Sequence, residues 1–329
     1  MTSASSTQHT RVLAVVGPTG SGKTALAEEL AVRLGGEVVS ADSMQVYRGM
    51  DIGTAKPPAR ERRVAHWCLD LAEPGAPFSA ALYQRDARAA IADISARGAL
   101  PIIAGGTGLY VRAALDPLDF PAGEQAGNAS RARYEAFAAE QSPQALHALL
   151  AERDPQSAAM VHPNNVRRVV RALEMLDEGV SYAQQCEGFS ARQSIFDARF
   201  VGLTVERASL YAQVDARVDA MLAAGLLGEV ERLLASGLRD ALTASQAIGY
   251  KELVPVIETG ADLDSAIAAI KQATRRYAKR QLTWFRADPR VRWIDVTGLT
   301  TEQAADTAVG TLDWLLNSPS SPRLGSGEA

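Results

Sequence analysis

The sequence predicts an α/β protein in which helices cover a mostly parallel β-sheet. Three observations support this prediction. Short apolar runs typical of buried strands alternate with longer segments whose leucines recur at helical spacing. Glycine-rich turns join the strands to the helices. This pattern occupies both ends of the chain, whereas the middle carries helical patterns only, so we predict one core made from both ends with an all-helical insertion between them.

The amino-terminal half of the core begins with a strand at VLAVV, residues 12–16, because this apolar run ends at a glycine-rich loop. The helix that follows carries Leu26, Leu30 and Leu34 on one face and stops at a glycine. The remaining elements of this half are a strand at EVVSADS (37–43), a helix over 79–98 capped by Ser79, and a strand at LPIIAGG (100–106) leading into another helix.

A stretch rich in proline and glycine, DPLDFPAGEQAGNAS from Asp116, marks the start of the insertion. We predict core segments at 11–117 and 198–316, the helical insertion at 118–197, and disordered ends at 1–10 and 317–329. The carboxy-terminal core elements are a strand at FVGLTV (200–205), a long helix from 207, a helix over 264–285 and a strand at VRWIDV (291–296).

The composition limits the class of protein. The 329 residues are 47% hydrophobic, and the formal net charge is −4, which does not favour a general nucleic-acid binder. The two cysteines, Cys68 and Cys186, are far apart and form no CxxC pair, which excludes a disulfide framework and favours the cytoplasm. No apolar run is long enough for a membrane span, and nothing requires an oligomer, so we expect a monomer without membrane contact.

The segment GPTGSGKT matches the phosphate-binding pattern G-x-x-x-x-G-K-[ST] and lies between a predicted strand and a predicted helix, as that pattern requires. Its glycines let backbone N–H groups surround an anion, and the helix amino terminus adds its dipole. Lys23 adds a positive charge, and Thr24 can hold a Mg²⁺ ion that bridges phosphates. The core is therefore predicted to be P-loop NTPase-like, with a phosphate loop made of Gly17, Pro18, Thr19, Gly20, Ser21, Gly22, Lys23 and Thr24.

The phosphate loop alone does not identify the reaction. ATPases and kinases of this type usually have a later strand that ends in an acidic residue holding Mg²⁺. The strand in that position here ends in Gly105 and Gly106, which argues against ordinary nucleotide hydrolysis, although kinases of small metabolites vary at this point.

Asp42 follows the second predicted strand, where a parallel sheet places residues at the ligand crevice. A carboxylate beside a phosphate site opposes binding unless it holds Mg²⁺ or accepts a proton. The alternative interpretation is that Asp42 only caps the turn after the strand.

Six motifs occur in one order: GPTGSGKT, SADSMQVYRGMDIGTAKP, AGGTGLY, HPNNVRRVVRALE, AIGYKEL and KRQLTWFR. Together they resemble the bacterial tRNA dimethylallyltransferases, also called tRNA isopentenyltransferases, of the IPP transferase family. The resemblance implies that the loop holds the diphosphate of dimethylallyl diphosphate. It also implies prenylation of N6 of the adenosine immediately 3′ of the anticodon, in tRNAs that read codons beginning with U.

The resemblance also implies roles for single residues. Asp42 matches the base that takes the N6 proton, and Thr19 matches a threonine that hydrogen-bonds the bridging oxygen. Arg217 matches an arginine on the diphosphate, although its helix alone indicates an ordinary solvated face. Lys23 and Mg²⁺ on Thr24 would stabilise the leaving group.

The tRNA anticodon stem-loop is the implied partner, with the target base flipped out of its stack. The region 271–292 holds eight Lys or Arg and one acid, and aromatic residues interleave with these charges. Some relatives carry Arg at the position of Gln246. The implied RNA-contact residues are Asp42, Ser43, Met44, Gln45, Thr107, Arg131, Arg167, Arg168, Val169, Val170, Arg171, Gln246, Ala247, Ile248, Gly249, Tyr250, Lys251, Lys279, Arg280, Gln281, Leu282, Thr283, Trp284, Phe285 and Arg286.

Three alternatives stay open at this level. A small-molecule or nucleotide kinase explains the loop and Asp42 but not the basic segment, and phosphate transfer from ATP would support it. An RNA-binding module with a relic loop leaves the Lys23, Thr24 and Asp42 set unexplained. A prenyltransferase acting on free adenylate would be distinguished by competition between tRNA and AMP.

Overall fold

The computed structural model describes residues 10–120, 129–189 and 191–312. Within these ranges six strands form one sheet. They are β1 (Arg11–Val16), β2 (Gly36–Ser40), β3 (His66–Trp67), β4 (Leu100–Gly105), β5 (Asp197–Thr204) and β6 (Val291–Asp295). The helices are α1 (Lys23–Leu34), α2 (Ala80–Ala96), α3 (Gly108–Leu115), α4 (Ala129–Glu140), α5 (Pro143–Arg153), α6 (Pro155–Met160), α7 (Val166–Asp177), α8 (Tyr182–Gly188), α9 (Arg207–Ala223), α10 (Leu226–Ala235), α11 (Val254–Thr259), α12 (Leu263–Arg286) and α13 (Thr301–Gly310).

The sheet has the order β3-β2-β4-β1-β5-β6, and every strand pair is parallel. Strand β1 lies in the middle, where Val15 is in register with Ala104 of β4 on one side and Val201 of β5 on the other. The central strand is thus paired with a strand from each end of the chain. The predicted α/β fold class, with one core made from both ends, is confirmed.

The main core forms where α1 and α13 pack on one face of the sheet. Leu26 and Leu30 of α1 are buried against Leu13 and Val15 of β1, and Ala305 of α13 belongs to the same cluster. Burying each of these leucines contributes about 1.5–3 kcal/mol. The leucine spacing that predicted α1 therefore identified the face that holds the phosphate loop to the sheet.

The helical part forms a compact unit of its own, made of residues 79–81 and 116–193. Helices α4 to α8 enclose a separate apolar core that includes Leu146, Leu150, Val169 and Leu173. The predicted insertion at 118–197 overlaps this unit, whereas Asp197 begins β5. Residues 1–9 of the predicted amino-terminal disorder, residues 313–316 of the predicted core and the predicted tail at 317–329 lie outside the described residues.

Strand β3 and the helices α10, α11 and α13 were not predicted. Strand β3 has two residues, too few to show a period, and its register with Val38 and Val39 comes from the tertiary structure. Helix α13 buries only alanines on its apolar face, and its clearest signal is the capping box between Thr300 and Gln303. No helix in the described part of the chain is long and apolar enough to cross a membrane.

Candidate active site

A cavity of about 470 Å³ opens where β1, β2 and β4 end. Helices α9 and α12 supply much of the remaining wall. Thr19, Lys23, Thr24, Asp42 and Arg217 all line it, although they are far apart in sequence. The carboxyl edge of the parallel sheet therefore brings the predicted catalytic residues into one space, as expected for this class of fold.

The phosphate loop leaves β1 through glycines in the left-handed region. Gly20 and Gly22 have φ angles of 83° and 81°, which residues with a side chain rarely adopt. Ser21 closes the turn, because its hydroxyl donates to the carbonyl of Pro18 at 2.8 Å. The loop ends at Lys23, the first residue of α1, so the amino terminus of a twelve-residue helix faces the cavity.

Lys23 is half-buried, and its Nζ donates to the carbonyl oxygen of Pro18 at 2.6 Å. Burial and the nearby positive charge of Arg217 together lower the pKa of Lys23 to about 7, against the opposing effect of Asp42. A cation with a lowered pKa is one that an anion in the cavity would stabilise.

Asp42 caps its turn and also lines the cavity. Its Oδ1 accepts a hydrogen bond from the backbone N–H of Met44 at 2.9 Å. The next residue is held too, because the N–H of Ser43 donates to the hydroxyl of Thr107 at 3.1 Å. The cap and the position at the crevice are both observed, and the role of Asp42 with a proton or Mg²⁺ stays a prediction. The capped turn fixes the carboxylate relative to the loop.

Arg217 lies on the cavity side of α9, not on a solvated face. It is half-buried, and its Nη2 donates to the carbonyl oxygen of Thr54 at 3.4 Å. Burial lowers the pKa of Arg217, and the charge of Asp42 partly offsets that effect. The described residues that line the cavity thus include one carboxylate, Asp42, and five cations, so the site is matched to an anion. The cations are Lys23, Arg217, Lys251, Arg276 and Arg280.

The segment that carries Thr54 is held by Glu229 of α10, a residue that the sequence analysis did not identify. The buried carboxylate of Glu229 accepts from the backbone N–H groups of Asp51, Ile52 and Gly53 at 3.2, 2.8 and 3.1 Å. It also accepts from the hydroxyl of Tyr250 at 2.6 Å. The sequence signal was an acid on the apolar face of a helix.

Gly53 is required at this contact. A Cβ added to Gly53 would come within 2.5 Å of the Tyr250 ring. The GTAKP motif also places Lys56 inside, where its Nζ donates to Asp51 and Asp70 at 2.6 Å each. The motif is therefore a packed and ion-paired wall of the cavity.

Helix α12 contacts the cavity through Tyr277 and Gln281. Burial and the nearby Asp42 raise the pKa of Tyr277 to about 12, so its phenol stays neutral and can donate a hydrogen bond. Gln281 is 5% exposed and its Oε1 accepts from the backbone N–H of Thr19 at 2.7 Å. The phosphate loop is thereby bonded to the helix predicted to carry RNA contacts.

With this geometry in view, comparison with known families is decisive. The model of the family described as IPP transferase matches residues 45–288, and that described as isopentenyl transferase matches residues 10–66. The chain belongs to the IPP transferase family. A family protein from Geobacillus thermodenitrificans, named tRNA dimethylallyltransferase, is 50% identical over 289 residues, which are 87% of this chain and 91% of the relative.

Solved structures agree with the family assignment. The full-length tRNA isopentenylpyrophosphate transferase of Bacillus halodurans is 42% identical, with a TM-score of 0.67 over 93% of this chain and 97% of its own. A eukaryotic dimethylallyltransferase described as acting on tRNA is 30% identical, with a TM-score of 0.77 over 95% of this chain and 81% of its own. The P-loop-like fold of this family is thus shared across most of the chain.

The RNA contacts that family resemblance predicted in the core fall into two groups. Asp42 to Gln45, Gln246 to Lys251, Arg280 and Gln281 line the cavity. Lys279, Thr283, Trp284 and Arg286 are exposed on α12, whereas Leu282 is half-buried and Phe285 is buried. Thr107 is half-buried and bonded to Ser43. The side chain of Phe285 is thus part of the buried core and is not available for stacking on a base.

The predicted contacts of the helical unit differ among themselves. Arg131 and Arg171 pair with buried Glu174 at 2.9 and 3.6 Å. Arg167 and Arg168 are exposed at the amino-terminal end of α7. The side chains of Val169 and Val170 are buried in the helical core. The two exposed arginines are therefore the members of this set that present charge to solvent.

A divalent cation fits the cavity only together with ligand oxygens. Among the described residues, no group of three or more His, Cys, Asp or Glu could hold a metal by itself. The hydroxyl of Thr24 and the carboxylate of Asp42 are the hard oxygen donors beside the loop. Mg²⁺ accepts such a set, because it keeps several waters and takes phosphate oxygens from a substrate.

Proposed function

We propose that this protein transfers the dimethylallyl group of dimethylallyl diphosphate to N6 of the adenosine immediately 3′ of the anticodon. The acceptors would be tRNAs that read codons beginning with U, and diphosphate would be released. One observation carries the proposal: the phosphate loop, the cations Lys23 and Arg217 and the fixed carboxylate of Asp42 line a single cavity. The family assignment and the names of the relatives support the same reaction.

The chemistry is a substitution at the allylic carbon C1. The N6 lone pair of adenine forms a bond to C1 while the bond between C1 and the diphosphate oxygen breaks. The N6 amine is a weak nucleophile because its lone pair is delocalised into the ring. Asp42 takes the N6 proton as the bond forms, a contribution of about 10²–10⁴-fold for a positioned base. Its hydrogen bond to Met44 keeps the carboxylate in place.

The leaving diphosphate gains negative charge as C1 departs. The loop N–H groups, Lys23 and Arg217 stabilise that charge, and the hydroxyl of Thr19 binds the bridging oxygen. Because these groups are held by the fold before the reaction, little reorganisation is needed. The hydroxyl of Thr24 would hold Mg²⁺, which would supply further positive charge to the leaving group.

The RNA partner is the anticodon stem-loop, with the target adenine flipped into the cavity. Lys279, Arg280 and Arg286 on α12 supply cations for its phosphates, as do Arg167 and Arg168 in the helical unit. The enzyme would act as a monomer in the cytoplasm, where its tRNA substrate is found.

A kinase is the second candidate, because the phosphate loop is shared with kinases. Strand β4 ends at Gly105, and a Cβ there would come within 2.2 Å of the carbonyl oxygen of Ala41. A side chain that could hold Mg²⁺ therefore has no room at that strand end. This observation favours diphosphate as a leaving group over phosphate transfer from ATP.

The test uses purified protein, Mg²⁺, labelled dimethylallyl diphosphate and unmodified tRNA that reads codons beginning with U, with ATP absent. We expect label in the RNA, and a loss of about 10²-fold or more in kcat for Asp42→Asn. Exposed Asp240→Asn is the matched control and should keep wild-type activity.

Each other outcome is informative. Full activity of Asp42→Asn would retain the reaction and remove Asp42 as the base. In a parallel reaction with AMP added as a competing acceptor, label in AMP but not in tRNA would indicate an adenylate prenyltransferase. A folded protein that binds tRNA but transfers no label would overturn the proposal, and phosphate transfer from ATP would then identify a kinase.

A further inference from the structure

Gln281 joins two parts of the core that are distant in sequence. It lies in the last third of α12 and is 5% exposed. Its Oε1 accepts from the backbone N–H of Thr19 at 2.7 Å, and its Nε2 donates to the carbonyl oxygen of Gly106 at 3.1 Å. One amide thus bridges the phosphate loop and the end of β4. Such a position differs from that of a side chain that reads RNA.

The fit around Gln281 is tight. A Cβ added to Gly106 would come within 2.0 Å of the Nε2 atom of Gln281 and within 3.0 Å of its Cδ atom. A few residues further along, a Cβ on Gly108 would meet Nε1 of Trp284 at 1.9 Å. The two glycines therefore let α12 approach the turn after β4 closely enough for the amide to reach Thr19.

The bond to Thr19 has a chemical consequence. A backbone N–H that is removed from water needs a partner, and its partner fixes the orientation of the peptide. Thr19 lines the cavity, and the orientation of its peptide sets the direction from which its side chain enters that space. The N–H of Ser21 donates to the carbonyl oxygen of Pro18 at 3.3 Å. The remaining N–H groups at the helix amino terminus can surround the diphosphate.

We propose that Gln281 is a positioning residue: through its bond to the N–H of Thr19, it aims the Thr19 hydroxyl at the bridging oxygen of the bound diphosphate. Its role is internal to the protein, in place of the RNA contact expected from the KRQLTWFR motif. The choice of bridging oxygen rests on the proposed function, whereas the effect on diphosphate binding can be measured without RNA.

The same bond connects the two ligands. Lys279 and Arg280, which immediately precede Gln281, are exposed cations on α12. An RNA whose phosphates bind these cations and shift α12 would also shift the peptide of Thr19. RNA binding at Lys279 and Arg280 and diphosphate binding at the phosphate loop should therefore be energetically linked. This linkage should depend on Gln281.

The test is a double-mutant cycle on the affinity for inorganic diphosphate with Mg²⁺, measured by calorimetry. The four proteins are wild type, Thr19→Ala, Gln281→Leu and the double variant. We expect Gln281→Leu to raise Kd by about tenfold, the cost of one misdirected hydrogen bond to an anion. In the Thr19→Ala background the same change should alter Kd by less than about twofold, because the hydroxyl that it positions is already absent.

Two further variants separate positioning from loss of folding. Gly106→Ala keeps Gln281 but pushes its amide away, and we expect it to raise Kd as Gln281→Leu does, again only when Thr19 is present. Gln272→Leu makes the same change at an exposed site of α12 and should leave Kd unchanged. Thermal melts confirm that each variant is folded.

The proposal is overturned if the effects of Thr19→Ala and Gln281→Leu on Kd multiply, because a merely structural glutamine would act independently of the hydroxyl. It is also overturned if Gly106→Ala binds diphosphate like wild type. Both results are independent of prenyl transfer. A wild-type protein without transferase activity would contradict the proposed function and leave this cycle interpretable.

Discussion

The cavity and the helical unit differ in the surroundings of their charged side chains. In the cavity, burial lowers the pKa values of Lys23 and Arg217, so both cations are held in surroundings that disfavour their charge. In the helical unit, Arg153 pairs with Asp177 at 2.8 Å and lowers the pKa of that carboxyl. One region thus keeps charge available for an anion, and the other uses charge to hold its own helices. The difference shows that a count of arginines does not locate a binding site, whereas their partners and burial do.

The largest expected effect comes from removing a cavity cation. Arg217→Gln should lower kcat by about 10²–10³-fold, because it removes a preorganised donor to the leaving group. The thermal midpoint should not fall, because the guanidinium is half-buried in surroundings that disfavour its charge. Steady-state kinetics and calorimetric melts measure both quantities, and exposed Arg232→Gln on α10 is the control. A large drop in the melting temperature would show that the cavity charge is structural.

The opposite pattern is expected in the helical unit. Glu174→Gln should lower the local unfolding free energy of that unit by about 1–3 kcal/mol, because Arg131 and Arg171 lose their buried partner. The value of kcat at saturating tRNA should stay unchanged. Hydrogen exchange of the α4 and α7 amides measures the local unfolding free energy, with exposed Glu178→Gln as the matched control. Unaltered exchange would mean that the ion pairs contribute nothing to the unit.

The pKa of Lys23 predicts a pH dependence of diphosphate binding. The group has a pKa of about 7 in the free protein, so it is largely neutral at pH 8, and a bound anion restores its proton. The affinity should fall by about tenfold per pH unit above pH 7 until the pKa of the complex is reached. Calorimetry at pH 8 in buffers of different ionisation enthalpy should show uptake of about one proton. Lys23→Arg should abolish the uptake, and uptake that persists in this variant would place the titrating group elsewhere.

The same pKa gives a sign for stability. The unfolded chain holds the Lys23 proton up to about pH 10.5, whereas the folded protein loses it at about pH 7. The unfolded state therefore binds more protons between these values, and the contribution of Lys23 makes the folded protein more stable as pH rises through this window. The melting temperature of Lys23→Met should not show this stabilisation with rising pH.

The smallest effect is expected at the exposed arginines. Arg167→Gln should weaken tRNA binding by severalfold and reduce the slope of log affinity against log salt by about one, as for a single phosphate contact. Filter binding across a salt series measures the slope. Arg60→Gln is the control, because Arg60 is an exposed arginine of the α/β unit. An unchanged slope for Arg167→Gln would show that Arg167 makes no phosphate contact with the RNA.

Sequence reasoning predicted those features whose information is local. The GPTGSGKT loop, the strand before it and the helix after it lie within some twenty residues and follow a spacing that phosphate chemistry requires. Asp42 was placed correctly at the crevice because the ends of parallel strands meet at one edge of the sheet. The leucines of α1 gave its buried face directly.

The remaining features depend on contacts between distant residues. Glu229 lies 176 to 178 residues from the three N–H groups that it accepts from, and Gln281 lies 262 residues from Thr19. Glu229 belongs to none of the motifs, and the KRQLTWFR motif that contains Gln281 predicted an RNA contact rather than the bond to Thr19. Both internal contacts are fixed only when the chain is folded. Helix α13 was not predicted for a different reason. Its buried residues are alanines, which bury little area and leave a weak periodic signal.

The position of β1 between β4 and β5 also determines when the protein can assemble on the ribosome. One neighbour of β1 ends at Gly105, but the other begins only at Asp197. At about 5–20 residues per second, the growing chain spends roughly 5–20 s with its future central strand exposed at one edge. The helical unit, with a core of its own, is complete before β5 is synthesised. The phosphate loop acquires Gln281 later still, so the residues made first are among the last to reach their final arrangement.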